Sequence, residues 1–223
     1  MNKIIDNGLL DILLTGRGLM YVMPDRLPDG KRRPVFFTRD PIKGEVIDTT
    51  VSAYMLAKFG PSFEQAAKRL KEFLACDTCI MPNRHLVVVY PTGELGHFDE
   101  NGKIVMTGDC YYDKAPARDC AADGNDIWLA VPGRNAVIKY ALDDHKIVMR
   151  IGGGASTAFH EPVSVFCDKE QLYVCNRGSG EIRLVDTQTF NVTEYMSFKE
   201  PVNKYFRISG KEYIVLDSGV YEI

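Results

Sequence analysis

The chain has 223 residues, of which 45% are apolar and 26% charged, and 27 Lys+Arg against 30 Asp+Glu leave a formal net charge of −3. Such a composition excludes a disordered chain, and it lacks the global basic field that grips nucleic acid. No apolar run reaches the roughly 18–20 residues of a membrane span, and Met1–Asn7 has no secretory leader pattern.

Taken in chain order, Lys3–Ile5 is a short β-prone run, followed by strands over Leu9–Thr15 and Met20–Met23. Pro24–Arg33 reads as a long connection carrying Arg26, Lys31, Arg32 and Arg33. From about 52 to 75 the pattern turns helical. Tyr54–Phe59 is a short helix stopped by Gly60-Pro61. Ser62–Ala75 then places Phe63, Ala66, Ala67, Leu70, Phe73 and Leu74 on one apolar face, with Ser62 and Gln65 as a capping box. That face either packs on the β body or joins two copies into a homo-oligomer. Further on, Leu86–Tyr90 precedes the turn Pro91-Thr92-Gly93, and Gly108–Asp113 forms another long connection with Tyr111 and Tyr112. Ile127–Val131, the turn Pro132–Asn135, Ala136–Tyr140 and Ile147–Ile151 follow a weaker run at Asp119–Asp123. Leu172–Asn176, the turn Arg177–Gly180, Glu181–Val185 and Val192–Met196 follow Val163–Phe166 in the same way. Val202–Ile208, Tyr213–Asp217 and Val220–Ile223 complete the chain.

These runs repeat. Anchored on the first apolar residue of the second strand, copies start at Leu86, Ile127, Leu172 and Tyr213, spaced 41, 45 and 41 residues apart. A fifth copy at Met20 lies 66 residues before Leu86, one repeat plus the helical insertion. Each copy is a unit of four short strands, a to d. The last copy lacks its outer strand, while Lys3–Ile5 is a surplus strand at the other end. Unpaired sheet edges are a liability, so Lys3–Ile5 is expected to pair beside Val220–Ile223. The expected fold is all-β: a five-bladed β-propeller of four-stranded antiparallel blades, a single domain over 1–223. A two-sheet sandwich is the alternative.

One copy carries a family pattern. Gly152-Gly153, then Phe159-His160-Glu161-Pro162-Val163-Ser164-Val165, then Leu172–Asn176 with Arg177-Gly178-Ser179-Gly180-Glu181-Ile182 resembles the blade of NHL-repeat propellers, F-x-x-P-x-G-V…I-Y-V-A-D-x-G-N-x-R-I. Ser164 stands for the usual Gly and Asn176 for the usual Asp. The match is good over the fourth copy, fair over the third and faint elsewhere. The family's propellers usually have six blades rather than five. The resemblance implies the fold and no catalytic residues, because such propellers serve as binding modules, lyases and lactonase relatives.

In propellers the d-to-a and b-to-c connections share one face around the mouth of the central channel. The helical insertion, Tyr111 and Tyr112, Arg33, Arg134 and Arg177 therefore decorate one rim, where long loops on a rigid scaffold tend to carry function. Nine residues ahead of each anchor stand Asp11, Asp77, Arg118, Val163 and Lys204, one per blade at the start of strand a. They form either a self-satisfied ring of ion pairs or a floor where Arg118 and Lys204 hold a carboxylate or phosphate. The expected function is a non-enzymatic, cytoplasmic binding module for an anionic small molecule or a protein partner, with no nucleic acid or membrane involved. The alternative is a hydrolase or lyase using His160, Glu161, Asp11 and Asp77. Cys76-Asp77-Thr78-Cys79 has no second C-x-x-C pair, and the six cysteines are expected as free thiols, with Cys79 and Cys120 approaching near the axis. His85, His97, His145 and His160 lack zinc spacing, so no metal is expected. Without a P-loop, dinucleotide fingerprint or nucleophile elbow, no cofactor is expected either.

Overall fold

The computed structural model describes residues 1–16, 18–62, 73–208 and 210–223. Its strands are β1 Asn2–Asp6, β2 Asp11–Thr15, β3 Gly18–Arg26, β4 Arg32–Arg39, β5 Val46–Thr49, β6 Asp77–Ile80, β7 Leu86–Val89, β8 Glu94–Phe98 and β9 Ile104–Asp109. A small hairpin of β10 Tyr111–Tyr112 and β11 Ala115–Pro116 follows. Then come β12 Asp119–Asp123, β13 Asp126–Val131, β14 Ala136–Ala141, β15 Lys146–Gly152, β16 Pro162–Asp168, β17 Gln171–Asn176, β18 Glu181–Asp186 and β19 Val192–Ser197. The last are β20 Val202–Ile208, β21 Lys211–Leu216 and β22 Gly219–Glu222. Five four-stranded antiparallel sheets result: β2–β5, β6–β9, β12–β15, β16–β19, and β20–β22 completed by β1. These are the five blades of a β-propeller. The final blade takes its outer strand from the N-terminus, Lys3 opposite Tyr221 and Ile5 opposite Val220.

The burial pattern explains why these runs become blades. A second strand lies inside its sheet and is covered on both faces, so it reads as an unbroken apolar run. Leu86–Val89 is buried throughout, as is Ile127–Val131. Outer strands such as Ile104–Asp109 and Lys146–Gly152 are mostly exposed and carry polar residues.

The chain forms two compact units, one of residues 1–74 with 206–223 and one of 75–205. In the 75–205 unit, side chains of β13 alternate between two apolar layers. Ile127 and Leu129 join Val87, Leu95 and Ile138 in one. Trp128 and Ala130 join Val137, Phe159, Leu172 and Val174 in the other. The Trp128 ring is capped by a polar group at its edge, Nε1 donating to Asp123 Oδ2 at 3.0 Å. Lys139 Nζ lies 5.6 Å from the ring centroid and 2.8 Å from the same carboxylate. Tyr173, Tyr195 and Tyr205 pack ring to ring with centroids 4.8–5.9 Å apart.

In the other unit, α1 spans Val51–Phe59, longer at its start than the Tyr54–Phe59 expected. Thr50 is its N-cap, accepting the Ala53 N–H at 3.1 Å, and Gly60 ends it at φ 54°. Tyr54 docks on Phe36 with centroids 5.2 Å apart, beside Met20 and Val22. The helix expected over 62–75 lies mostly outside the described residues, although Gly60–Ser62 and Phe73–Ala75 form short 3-10 turns. The expected loop Pro24–Arg33 is instead a continued hairpin. β3 and β4 stay paired out to Arg26 and Arg32, and only the intervening residues turn. Among the described residues, no helix is long and apolar enough to cross a membrane.

Candidate functional site

The start of strand a supplies one equivalent position per blade, and pairing identifies it better than counting. Asp11 lies opposite Val22, Asp77 opposite Val89, Asp119 opposite Ala130 and Ser164 opposite Cys175. A fixed count of nine lands on Arg118 and Val163 because it assumes equal a-to-b turns. β6 and β7 are separated by the five residues Met81–His85, whereas β12 and β13 are separated only by Gly124 and Asn125. The shorter turn shifts the count by one, and the equivalent side chain in β12 is the buried acid Asp119. Arg118 beside it is exposed and donates its backbone N–H to Ala130 O at 2.8 Å. Its side chain has no hydrogen bond or ion pair to a described residue.

Within the 75–205 unit these positions form a charged cluster. Lys204 Nζ sits 2.5 Å from Asp77 Oδ1 and 3.8 Å from Asp119 Oδ1. Asp119 is only 2% exposed. Its oxygens accept the N–H of Val165 at 2.9 Å and of Cys120 at 3.0 Å, so it ties strand a of one blade to strand a of the next. Burial, reinforced by the neighbouring Asp77 charge, pushes the Asp119 carboxyl up to about 7. Lys204, the Ser164 hydroxyl and the Val165 N–H pull the other way. The Ser164 hydroxyl is buried and makes no hydrogen bond of ordinary geometry to a described residue. Lys204 is thus neutralised largely by acids of its own unit.

The Cys120 thiol is raised well above its ordinary value, first by its hydrogen bond with Cys79 and then by burial. The two thiols expected to approach each other do so. All six cysteines are free.

In the other unit Asp11 is held by Lys58, whose side chain is fully buried and also reaches Leu74 O at 3.4 Å. Arg33 is engaged in the hairpin, its Nε 3.1 Å from Asp25 Oδ2.

The rim of the 75–205 unit is a chain of interlocked turns. Tyr111 OH donates to Thr92 O, and its ring lies where Gly93 leaves no room for a Cβ. Tyr112 OH accepts from Arg150 Nη1 at 2.7 Å. Arg134, on the 3-10 turn Pro132–Arg134, grips Asp113 through its carbonyl at 2.8 Å and carboxylate at 2.7 Å. Asn135 adopts a left-handed φ of 50° and accepts the Glu161 N–H at 2.8 Å. Gly152, at φ 78°, passes so close that a Cβ would stand 2.6 Å from Asn135 O. Farther along, the carbonyls of His160 and Glu161 accept the N–H groups of Gly178 and Arg177. Arg177 itself donates to Asn203 Oδ1. Tyr111, Tyr112, Arg134 and Arg177 therefore fall on one rim, with exposed His160 and Glu161. The sequence reading missed Arg150, because it sits in an outer strand rather than a turn. It also missed Asn135, whose place after Pro132-Gly133-Arg134 is a left-handed turn signal.

A second polar pair lies on the 75–205 unit. His85 Nδ1 and His97 Nε2 are 2.9 Å apart, and burial, then His85 and His145, hold His97 below its usual value. Among the described residues, no three His, Cys, Asp or Glu side chains converge as a metal site.

No protein-family model matches the sequence, and no curated protein matches it at a significant level. Solved structures do resemble it. The computationally designed Ika4 protein aligns at TM-score 0.51 and 12% identity, over 66% of this chain and 88% of that one. Sqt1 of Saccharomyces cerevisiae aligns at 0.52 and 11%, over 92% of this chain and 55% of that one. The glutaminyl cyclase of Myxococcus xanthus aligns at 0.50 and 13%, over 66% and 64%. At such identities the likeness is one of fold alone, and the chain spans only part of the last two proteins.

Proposed function

We propose that this protein is a non-catalytic, cytoplasmic binding module, a five-bladed relative of the NHL-repeat propellers, that recognises an anionic group on a small molecule or protein partner. The observation that carries the reading is the rim of the 75–205 unit, where Arg150 and Arg177, bonded to the neutral oxygens of Tyr112 and Asn203, share interlocked turns with Tyr111, while Arg134 is held by Asp113. Arg118, exposed and without a side-chain partner among the described residues, adds an uncommitted guanidinium at the start of strand a. Planar guanidinium groups suit carboxylate and phosphate bidentately, and tyrosines add apolar contact at low entropic cost. Lys204 contributes little here, because Asp77 and Asp119 already neutralise it.

The alternative, a hydrolase or lyase using His160, Glu161, Asp11 and Asp77, has one observation in its favour: Asp77 neighbours the raised carboxyl of Asp119. Asp119, however, is sealed from solvent and bonded to two backbone N–H groups, which suits a structural acid better than a reacting one.

A thermal-shift screen of di- and tricarboxylates, phosphorylated metabolites and acidic peptides tests the binding reading. We expect at least one to raise the midpoint in low salt, and the double variant Arg118→Ala, Arg150→Ala to abolish that rise. A hit that stabilises the double variant as well as wild type would remove the rim from the account.

A further inference from the structure

The 1–74 and 206–223 unit contains a cavity of about 830 Å³ between α1 and one face of the β2–β5 blade. Its origin is a run of small residues. Met20, Thr38 and Ile47 pair across β3, β4 and β5, so they form one row on the same face of the sheet. At one end of α1's contact with that face, Tyr54 fills the gap against Phe36. Elsewhere the helix offers Ala53 and Ala57, and the sheet offers Thr38 and Thr49, hydrogen-bonded to each other at 2.6 Å. Small side chains on both sides leave the space open.

The mouth is apolar and acidic. Ile47 is 62% exposed and Leu56 54% exposed, an unusual state for two large aliphatic side chains that line one cavity. Asp40, Glu45 and Asp48 also line it, and among the described residues no Lys, Arg or His does. Asp40 is occupied locally, accepting the N–H groups of Ile42 and Lys43, with the Lys43 charge nearby. Glu45 and Asp48 have no side-chain partner among the described residues. Of the described cations next to these residues in sequence, Arg39 donates to Gly44 O and Lys58 holds Asp11, while Lys43 lies beside Asp40.

We propose that this cavity binds a small amphipathic organic cation, its ammonium or guanidinium head against Glu45 and Asp48 and its apolar body between Ile47 and Leu56 over Met20. The volume matches those of small-molecule sites, which are mostly apolar with a few placed polar groups. The charge pattern selects the ligand's sign. An anionic amphiphile of the same size would add a negative charge to three carboxylates, whereas a cation meets two that are unpaired. This site is independent of the arginine rim, with opposite charge and in the other unit.

Octylammonium, octanol and octanoate separate the contributions, because they share a chain and differ in head group. Calorimetric titration is expected to show saturable binding of octylammonium, weaker binding of octanol and none of octanoate. Glu45→Gln with Asp48→Asn, both exposed, should weaken octylammonium roughly five- to tenfold at low salt, as expected for two partly screened ion pairs. Ala53→Trp fills the cavity from an exposed helical position and should abolish binding of octylammonium and octanol, while the circular dichroism spectrum remains that of wild type. Equal binding of octanoate, or wild-type affinity in both variants, would overturn the proposal. Tighter binding of an oligolysine peptide than of octylammonium would overturn it too, in favour of a protein segment as occupant.

Discussion

Asp11→Ala is expected to destabilise the protein by about 3–5 kcal/mol, enough to threaten folding at physiological temperature. The reason is Lys58. Its side chain is fully buried, and Asp11 is the anion that compensates it. α1 carries Lys58 and the first blade carries Asp11, so the pair fastens the helix to strand a of its own unit. Removing only the acid leaves an ammonium in an apolar site, which costs far more than the intact pair contributes. The second variant distinguishes this from loss of a catalytic group. Asp11→Ala combined with Lys58→Met should recover most of the stability in urea unfolding, since an apolar side chain of similar length replaces the orphaned charge. Failure of the double variant to recover would mean that Asp11 matters for something other than its partner.

The second large effect concerns Asp119 and pH. Burial raises its carboxyl to about 7 in the folded protein, against about 3.9 for an unfolded chain. Between those values the native state binds the proton and the unfolded state does not. Stability from this group is therefore complete below about pH 4 and is lost as pH rises through about 7. The comparison is with Asp119→Asn, which keeps an oxygen for the Val165 N–H but cannot titrate. Urea unfolding at a series of pH values should show wild type losing stability relative to the variant as pH climbs, by up to about 1.4 kcal/mol per pH unit. His97 pulls the opposite way: its lowered value makes stability rise with pH toward 6.5. Both proteins carry His97, so that contribution cancels in the difference. Parallel curves for the two proteins would show that Asp119 is ionised throughout, held so by Lys204.

The architecture was legible because its signal is repeated. Apolar second strands such as Leu86–Val89 and Ile127–Val131 recur with turn residues behind them, and doubly covered strands must be apolar throughout. Closure by the N-terminus was legible as a matched deficit and surplus, and Lys3 does pair with Tyr221. The site was read less well, for a geometric reason. Which side chain a count back from strand b assigns to the head of strand a depends on the length of the hairpin turn between them, and a one-residue difference exchanges Arg118 for Asp119. A register slip of one also reverses the face a residue occupies, so an acid was mistaken for a base at the most consequential position. Pairings between distant residues were beyond reach. Nothing local marks Lys58 as the partner of Asp11, or Arg150 as the partner of Tyr112. The stretch from Pro24 to Arg33 reads as a loop, yet Pro24 sits opposite Pro34 and Asp25 opposite Arg33, so the hairpin continues through them.

The most direct test of the rim as a binding surface is a titration of pyrophosphate, followed by the guanidinium Nε–Hε signals of the arginines in a two-dimensional NMR spectrum. The proposed recognition surface predicts saturable shifts for Arg118, Arg150 and Arg177, while Arg33, Arg134 and Arg207, committed to Asp25, Asp113 and Glu212, stay in place. Shifts spread evenly over all arginines, or confined to those outside the 75–205 unit, would contradict it.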